Sequence, residues 1–323
     1  MVLVGSVGLA ATACSGGKSA SPAQRAPATL ATTTTTASPT SGASSASSAR
    51  DWPLFGYTAA RANSGPSATG ITAADVGRLR RQRVLLDGTV DSSPIYLHAV
   101  RVRGVVHDVF FVTTTYGRTE AIDASSGHVL WRYTPAGYSS WAGTARITTA
   151  TPAADPGRKW IYAASPDGRI QKLSVADGHL AWRTRITLLP SREKIASALN
   201  YWRGRVIATT GGYIGDAPPY QGHVALLAAS NGRVLSIWNS LCSNRHQLIP
   251  PSSCASSDSA IWGRAGAVVD TATGGLLLAT GNGDWNGRTN WGDSMIHLSA
   301  ELRAFLGAGR RRTRRRSSRA TST

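Results

Sequence analysis

The stretch Val109-Phe110-Phe111-Val112-Thr113, followed by Gly117-Arg118-Thr119-Glu120-Ala121-Ile122-Asp123 and Gly127-His128-Val129-Leu130-Trp131, has a second copy downstream. The copy reads Trp160-Ile161-Tyr162-Ala163-Ala164, then Gly168-Arg169-Ile170-Gln171-Lys172-Leu173-Ser174, then Gly178-His179-Leu180-Ala181-Trp182. Phe111 and Tyr162, Gly117 and Gly168, Gly127 and Gly178, His128 and His179, and Trp131 and Trp182 each lie 51 residues apart. An ungapped period of this size marks a repeat architecture, in which one supersecondary unit is stacked on the next.

Two further copies follow. The third takes Arg205–Thr210 as its first strand, then an inserted Gly/Pro-rich loop at 211–222, then His223–Ala228 and Asn231–Leu235, with Trp238 displaced by two. The fourth begins at Ile261-Trp262-Gly263, contains Leu276–Gly281 and ends near Met295–Leu298. Within each copy, short runs rich in Val, Ile, Thr and aromatics are broken by turn pairs such as Asp87-Gly88, Asp167-Gly168, Asp177-Gly178 and Asn231-Gly232. Such runs are strands, and such pairs are the turns that join them. No helical periodicity separates the runs, which argues against a parallel α/β sheet. Each copy has room for four strands, so the expected fold is an all-β propeller of four-stranded blades.

The residues resemble a known family. Gly88–Pro94 fits Gly-x-Val-x-Ser-Ser-Pro, and Asp123–Trp131 fits Asp-Ala-x-x-Gly-x-x-x-Trp. Both are similar to the PQQ-like repeat of quinoprotein-type propellers, and Asp51–Tyr57 resembles the opening of such domains. The resemblance implies seven or eight blades, the last completed by the first strand, a role that would fall to Leu79–Leu86. Four units are present, so the propeller is expected to be incomplete. The resemblance also implies a site. Quinone-dependent members use the Asn of a Thr-Gly-Asn stretch to hold the calcium that activates PQQ. Thr280-Gly281-Asn282 matches, which marks Asn282 and the following Trp285 as cofactor contacts if a quinone binds. The adjacent Cys-Cys pair of alcohol-oxidising members is missing, and a fold of this kind carries many functions. Hence two readings stand: a non-catalytic binding or scaffolding propeller without cofactor, or a PQQ-dependent oxidoreductase or a truncated relative of one.

The stretch from Asn282 to Asp293 has a second pattern. Asn282, Asp284, Asn286, Asn290 and Asp293 fall at positions 1, 3, 5, 9 and 12, with Gly287 at position 6. That is the ligand spacing of a calcium loop. Asn at the first position and Asp at the twelfth depart from it, and an Asn/Gly-rich inter-strand loop would read the same way. Other signatures dissolve on inspection. Ser191-Arg192-Glu193-Lys194 has the Ser-x-x-Lys spacing without its partner motifs. His128 and His179 occupy one repeat position, which suits a structural role, and the repeated tryptophans read as packing between blades.

The chain has 323 residues and a formal charge of +18. That figure suggests a nucleic-acid partner, but its distribution weakens the inference. Seven arginines without an acid lie in 307–323, and 31 of the 35 basic residues are Arg. Arg-heavy coding explains this without phosphate binding, and the tail reads either as a basic arm or as a frameshifted end. Residues 1–14 form an apolar signal-like segment ending in a lipobox-like Ala11-Thr12-Ala13-Cys14, with Cys14 the expected lipidation site. Residues 15–50 are almost entirely Ser, Thr, Ala, Pro and Gly, the composition of a disordered tether. The propeller repeats then occupy 51–306. Cys242 and Cys254 remain to form a disulfide in an exported protein. The expected location is the cell envelope, membrane-anchored or extracellular. The expected partner is a protein or small molecule rather than nucleic acid.

Overall fold

Neighbouring repeats pack face to face through buried apolar side chains, and this stacking generates the architecture. A computed structural model describes residues 50–310 apart from 66–68 and 214. The signal-like segment, Cys14, the tether up to residue 49 and residues 311–323 lie outside the described residues.

Among the described residues, four four-stranded antiparallel sheets follow one another, each ordered as the chain runs. Blade one is β1 (Ile95–Val102), β2 (Val105–Thr113), β3 (Thr119–Asp123) and β4 (Val129–Tyr133). Blade two is β5 (Ala153–Ala154), β6 (Trp160–Ser165), β7 (Arg169–Ser174) and β8 (Leu180–Arg185). A short β9 (Glu193–Lys194) precedes blade three, which is β10 (Asn200–Trp202), β11 (Arg205–Thr209), β13 (His223–Ala228) and β14 (Val234–Asn239). Between β11 and β13 the inserted loop makes β12 (Gly211–Gly212), which pairs with β9. Blade four is β15 (Val268–Val269), β16 (Leu276–Ala279), β17 (Ser294–Leu298) and β18 (Phe305–Arg310). The all-β, partial propeller expected from the repeat is what the chain forms.

Several boundaries differ from the sequence reading. Arg205–Thr209 is the second strand of its blade, because β10 pairs on its other side. The fourth blade starts at Val268; Ile261 is buried upstream of it. The propeller does not stop at 306, because β18 pairs with β17 from Phe305 to Arg310. Backbone hydrogen bonding recruits Gly307–Arg310 into the sheet despite a composition that reads as tail. Leu79–Leu86 is not a strand. It runs over blade one with Leu85 exposed, and Gln82 Nε2 donates to Ser125 O at 3.2 Å. Its backbone has no sheet partner there, so its β-type composition is not realised.

The repeated Trp and Gly lock neighbouring blades. Trp131 Nε1 donates to Val175 O of blade two at 2.9 Å, and Trp182 Nε1 donates to Ala229 O of blade three at 3.2 Å. Each indole lies on the turn glycine of the next blade. A Cβ on Gly178 would sit 2.6 Å from the Trp131 ring, and one on Gly232 2.7 Å from that of Trp182. Both glycines are also left-handed, at φ +75. In blade three the equivalent register is held by Ser236, opposite Leu226, and Trp238 sits two residues on, edge-on to Phe305 of blade four. His128 and His179 are exposed, and their carbonyls close the β3–β4 and β7–β8 turns by accepting from Asp123 N and Ser174 N, both at 2.9 Å.

The N-terminal segment 51–63 touches the first strand of every blade. Trp52 and Tyr96 exchange backbone hydrogen bonds at 2.8 and 2.9 Å in blade one. Ala154 N donates to Pro53 O in blade two at 2.9 Å. Ala59 O accepts from Asn200 Nδ2 of blade three at 2.9 Å and from Val269 N of blade four at 3.0 Å. Arg61 is buried and donates to the carbonyls of Phe55 (2.7 Å), Leu199 (3.1 Å) and Ala265 (3.0 Å). Burial lowers its pKa to about 10, so the guanidinium stays charged at neutral pH.

Two substitutions test these locks by urea unfolding followed through tryptophan emission. Gly178→Val forces a β-branched residue into a left-handed turn against Trp131 and should cost about 3 kcal/mol. Arg61→Ala strands buried carbonyls of three segments and should cost about 3 kcal/mol.

Candidate functional site

The first strands of the four blades converge, and the residue four positions before each strand lies at the mouth of one cleft. Those residues are Asp91, Thr149, Ala196 and Arg264, preceding Ile95, Ala153, Asn200 and Val268. The cleft has a volume of about 430 Å³. Lys194, Gly212, Tyr213 and Asp216 from the β9/β12 insertion form one wall, and Trp262 and Asn282 complete the lining. Trp262 presents 61% of its surface to solvent, so an aromatic face is available there.

The charges of the cleft are balanced. Arg264 Nη2 lies 2.6 Å from Asp91 Oδ1, an ion pair that joins blades one and four. Burial lowers the pKa of the Lys194 ammonium, an effect that Asp91 opposes and Arg264 reinforces. Asp216 accepts from the Tyr220 hydroxyl at 2.9 Å. Tyr213 donates to Pro190 O at 3.0 Å, and burial pushes its phenol up to about 12.

A buried polar network holds the β9 wall in place. Glu193, next to Lys194, is fully enclosed and accepts from Thr187 Oγ1, from Gln221 N at 3.1 Å and from His223 Nε2 at 3.1 Å. His223 Nδ1 faces Asn239 Oδ1 at 2.7 Å. Asn239 Nδ2 is committed to the carbonyls of Arg245 and Gln247, so Oδ1 is the acceptor toward the histidine. Both ring nitrogens therefore face acceptors, the arrangement of an imidazolium. Burial pulls the His223 pKa down, but the Glu193 charge and the bonds to Glu193 and Asn239 outweigh it, and the net shift is upward.

The sequence-predicted residues are divided by the structure. Asn282 lines the cleft, whereas Trp285 forms an isolated bridge with Trp291 and belongs to the loop beyond. Asp284 Oδ2 accepts from Asn290 Nδ2 at 2.6 Å and from Ser256 Oγ at 3.1 Å. Asn286 Oδ1 accepts from the backbone N–H groups of Arg288, Thr289 and Asn290 at 2.8 to 3.0 Å. Asn290 Oδ1 takes Cys242 N at 3.3 Å, and Asp293 is a left-handed residue at φ 49. Of the five side chains named as a calcium set, Asp284, Asn286 and Asn290 thus tie the loop to itself and to 242–256, while Asn282 lines the cleft. Cys242 and Cys254 form a disulfide with Cα atoms 6.1 Å apart. Ser191 is exposed at the surface while Lys194 enters the cleft, so the Ser-x-x-Lys spacing builds no nucleophile–base pair. Asp91, Arg264, Lys194 and the Glu193–His223 pair were not singled out as site residues. The available signal was positional: the residue four before each inner strand recurs in every repeat.

The sign of the His223 effect fixes a pH dependence. A pKa raised by folding contributes stability that is complete below the unfolded histidine value and is lost as pH rises through the folded value. Urea midpoints should therefore fall from mildly acidic to alkaline pH, and His223→Gln should flatten that dependence while lowering stability at pH 6.

Comparison with known proteins places this architecture. The chain is 24% identical over 211 residues to the dehydrogenase subunit of a quinone alcohol dehydrogenase from Gluconobacter oxydans (strain 621H), covering 56% of this chain and 27% of that protein. The corresponding subunit from Gluconacetobacter polyoxogenes is 27% identical over 138 residues, 40% of this chain and 18% of that one. Among solved structures, the quinohemoprotein alcohol dehydrogenase of Comamonas testosteroni superposes with a TM-score of 0.63 at 20% identity, over 83% of this chain and 42% of its own. A europium-containing methanol dehydrogenase gives 0.61 at 17% identity, over 81% and 49%. The chain thus spans less than half the length of these relatives, and the structural likeness concerns the fold alone. The family model described as outer membrane protein assembly factor BamB matches residues 71–247, more than half the chain, so this protein belongs to the PQQ_2 family of PQQ-like propeller repeats.

Proposed function

We propose that the chain is a non-catalytic binding or scaffolding propeller of the cell envelope, exported and held at a membrane through Cys14 and the 15–50 spacer. The observation that carries this reading is the donor set around Asn282. Calcium takes six to eight oxygen ligands and favours carboxylates. The carboxylates that share the cleft with Asn282 are Asp91, paired with Arg264, and Asp216, bonded to Tyr220. Among the described residues no three His, Cys, Asp or Glu side chains gather as a metal set. The two cations in the cleft, Lys194 and Arg264, are matched by those two acids, which gives little net attraction for a polyanionic quinone. This donor set supports the reading without a calcium–quinone pair. A partner that is uncharged overall and offers an aromatic or peptide surface suits Trp262, Tyr213 and the balanced charges better.

The second reading, a PQQ-dependent oxidoreductase, is favoured by one feature: Asn282 of the Thr280-Gly281-Asn282 stretch does face the cleft. Equilibrium dialysis with PQQ and calcium separates the two. The binding reading expects no quinone retained and no dye-linked alcohol oxidation. Stoichiometric quinone, lost in Asn282→Ala, overturns it. As for location, no helix among the described residues is long and apolar enough to cross a membrane. Radiolabelled palmitate incorporation that disappears in Cys14→Ala is the outcome expected for the anchor.

A further inference from the structure

The segment that leads from blade three to blade four is closed on itself by the Cys242–Cys254 disulfide. Between β14 and β15 the described chain forms one 3₁₀ turn, Pro251–Ser253, and is otherwise irregular. A cross-link restricts such a segment more than its own backbone bonding does. Both cysteines are half-buried, so each keeps part of its surface toward solvent. The ring lies behind the cleft, and its contacts run to both of the cleft's walls.

The first set of contacts reaches β9. Gln221 is fully buried; its Nε2 donates to Cys254 Sγ at 3.5 Å and its Oε1 accepts from Leu241 N at 3.2 Å. The backbone N–H of the same residue donates to Glu193, the neighbour of Lys194, at 3.1 Å. The carbonyls of Arg245 and Gln247, which orient Asn239 toward His223, also lie inside the ring. The second set reaches Asn282. Ser243 N donates to Thr289 O at 2.9 Å, and Trp291 Nε1 donates to Ser243 Oγ at 2.9 Å. Just past the ring, Ser259 N donates to the carbonyl of Asn282 itself. Lys194 and Asn282, on opposite sides of the disulfide loop's reach, are therefore both held by groups whose position depends on one Sγ–Sγ bond.

We propose that the Cys242–Cys254 disulfide is a redox switch on the cleft, and that its reduction by a dithiol releases the 242–254 loop and loosens the β9 wall and the Asn282 wall together. One thiolate of the dithiol attacks Cys242 Sγ, the Sγ–Sγ bond breaks, and Cys254 leaves as a thiolate facing the Gln221 Nε2 donor. The second thiol of the reagent then attacks the mixed disulfide and frees Cys242. The cystine gains two electrons and two protons, and the dithiol becomes a disulfide. The opened loop no longer fixes Gln221 and Asn239, so the Glu193–His223 pair loses its supports from that side. Local opening of this kind needs no disturbance of the blades, because the stability of a fold is distributed over units that open separately. The proposal rests on the reading of the cleft as the functional site, and it concerns the regulation of that site.

Amide hydrogen exchange of the full chain, with and without dithiothreitol, tests this, the two thiols being verified by alkylation and peptide mass spectrometry. Exchange at Gln221, Ser243 and Ser259 should accelerate at least tenfold on reduction, while β2 and β3 of blade one keep their rates. Reoxidation should restore the slow exchange. Cys242→Ser combined with Cys254→Ser should exchange like the reduced chain and show no response to the dithiol; the native chain decides the question even where that variant does not fold. Unchanged exchange at the three amides once both thiols are free overturns the proposal. So does an equal acceleration in blade one, which makes the disulfide a staple of the whole fold, and so does a disulfide that resists the dithiol until the chain unfolds. No ligand enters the measurement, so its outcome is independent of whether the cleft retains PQQ.

Discussion

The structure depends on a buried guanidinium at the start of the propeller. Arg61 donates to carbonyls of its own segment, of the approach to blade three and of the approach to blade four. The same segment exchanges backbone hydrogen bonds with the first strands of blades one and two. The first strands of blades two, three and four are short, two residues in β5 and β15 and three in β10, so they cannot satisfy their own backbone groups or hold a sheet in register. A segment that crosses all four supplies the missing partners. Asp51 anchors its beginning, accepting from His98 N at 2.7 Å and pairing with Arg158 at 2.8 Å. This stitching positions Asp91, Thr149, Ala196 and Arg264 around one cleft, because each lies a fixed four residues before a strand that the segment holds.

The cleft is consequently built by repetition and specialised by one insertion. Three of the four blades join their second and third strands by a turn or loop, but blade three adds β12 and pairs it with β9. That extra pairing brings Lys194 and Tyr213 to the rim. Placing a charged residue at a rim requires support from beneath, and the Glu193–His223–Asn239 chain gives it. A buried ion pair contributes little stability in itself, since desolvation offsets attraction. Breaking it by removing one partner is costly, so the network fixes the geometry of β9 more than it stabilises the fold.

Reading the chain for sites from motif spacing alone mixed two kinds of signal. The calcium-like spacing from Asn282 to Asp293 was real as a pattern, yet Asn286 uses its side-chain oxygen to cap three consecutive backbone N–H groups, the ordinary habit of Asn in turns. Side-chain oxygens at alternating positions serve either purpose, and only their partners tell which. His128 and His179 show another case: their side chains are exposed, and only their backbone carbonyls close equivalent turns.

Local sequence determined the strands and the turns. Period-two runs broken by Asp-Gly and Asn-Gly dictate hairpins, the 51-residue spacing dictates that units stack, and the recurring Trp and Gly dictate how. The displacement of Trp238 was legible too, because it breaks a register that two other copies define. What the sequence did not carry was the fate of segments whose partners are distant. Leu79–Leu86 has the composition of a strand but pairs with no strand among the described residues, while Gly307–Arg310 has the composition of a tail and is paired by β17. Arg264 and Asp91 are separated by most of the propeller, and their ion pair exists only because the stack curves to bring the first and fourth blades together. Hydrogen-bond partners and charge pairs between remote blades are set by that curvature, which no local pattern encodes.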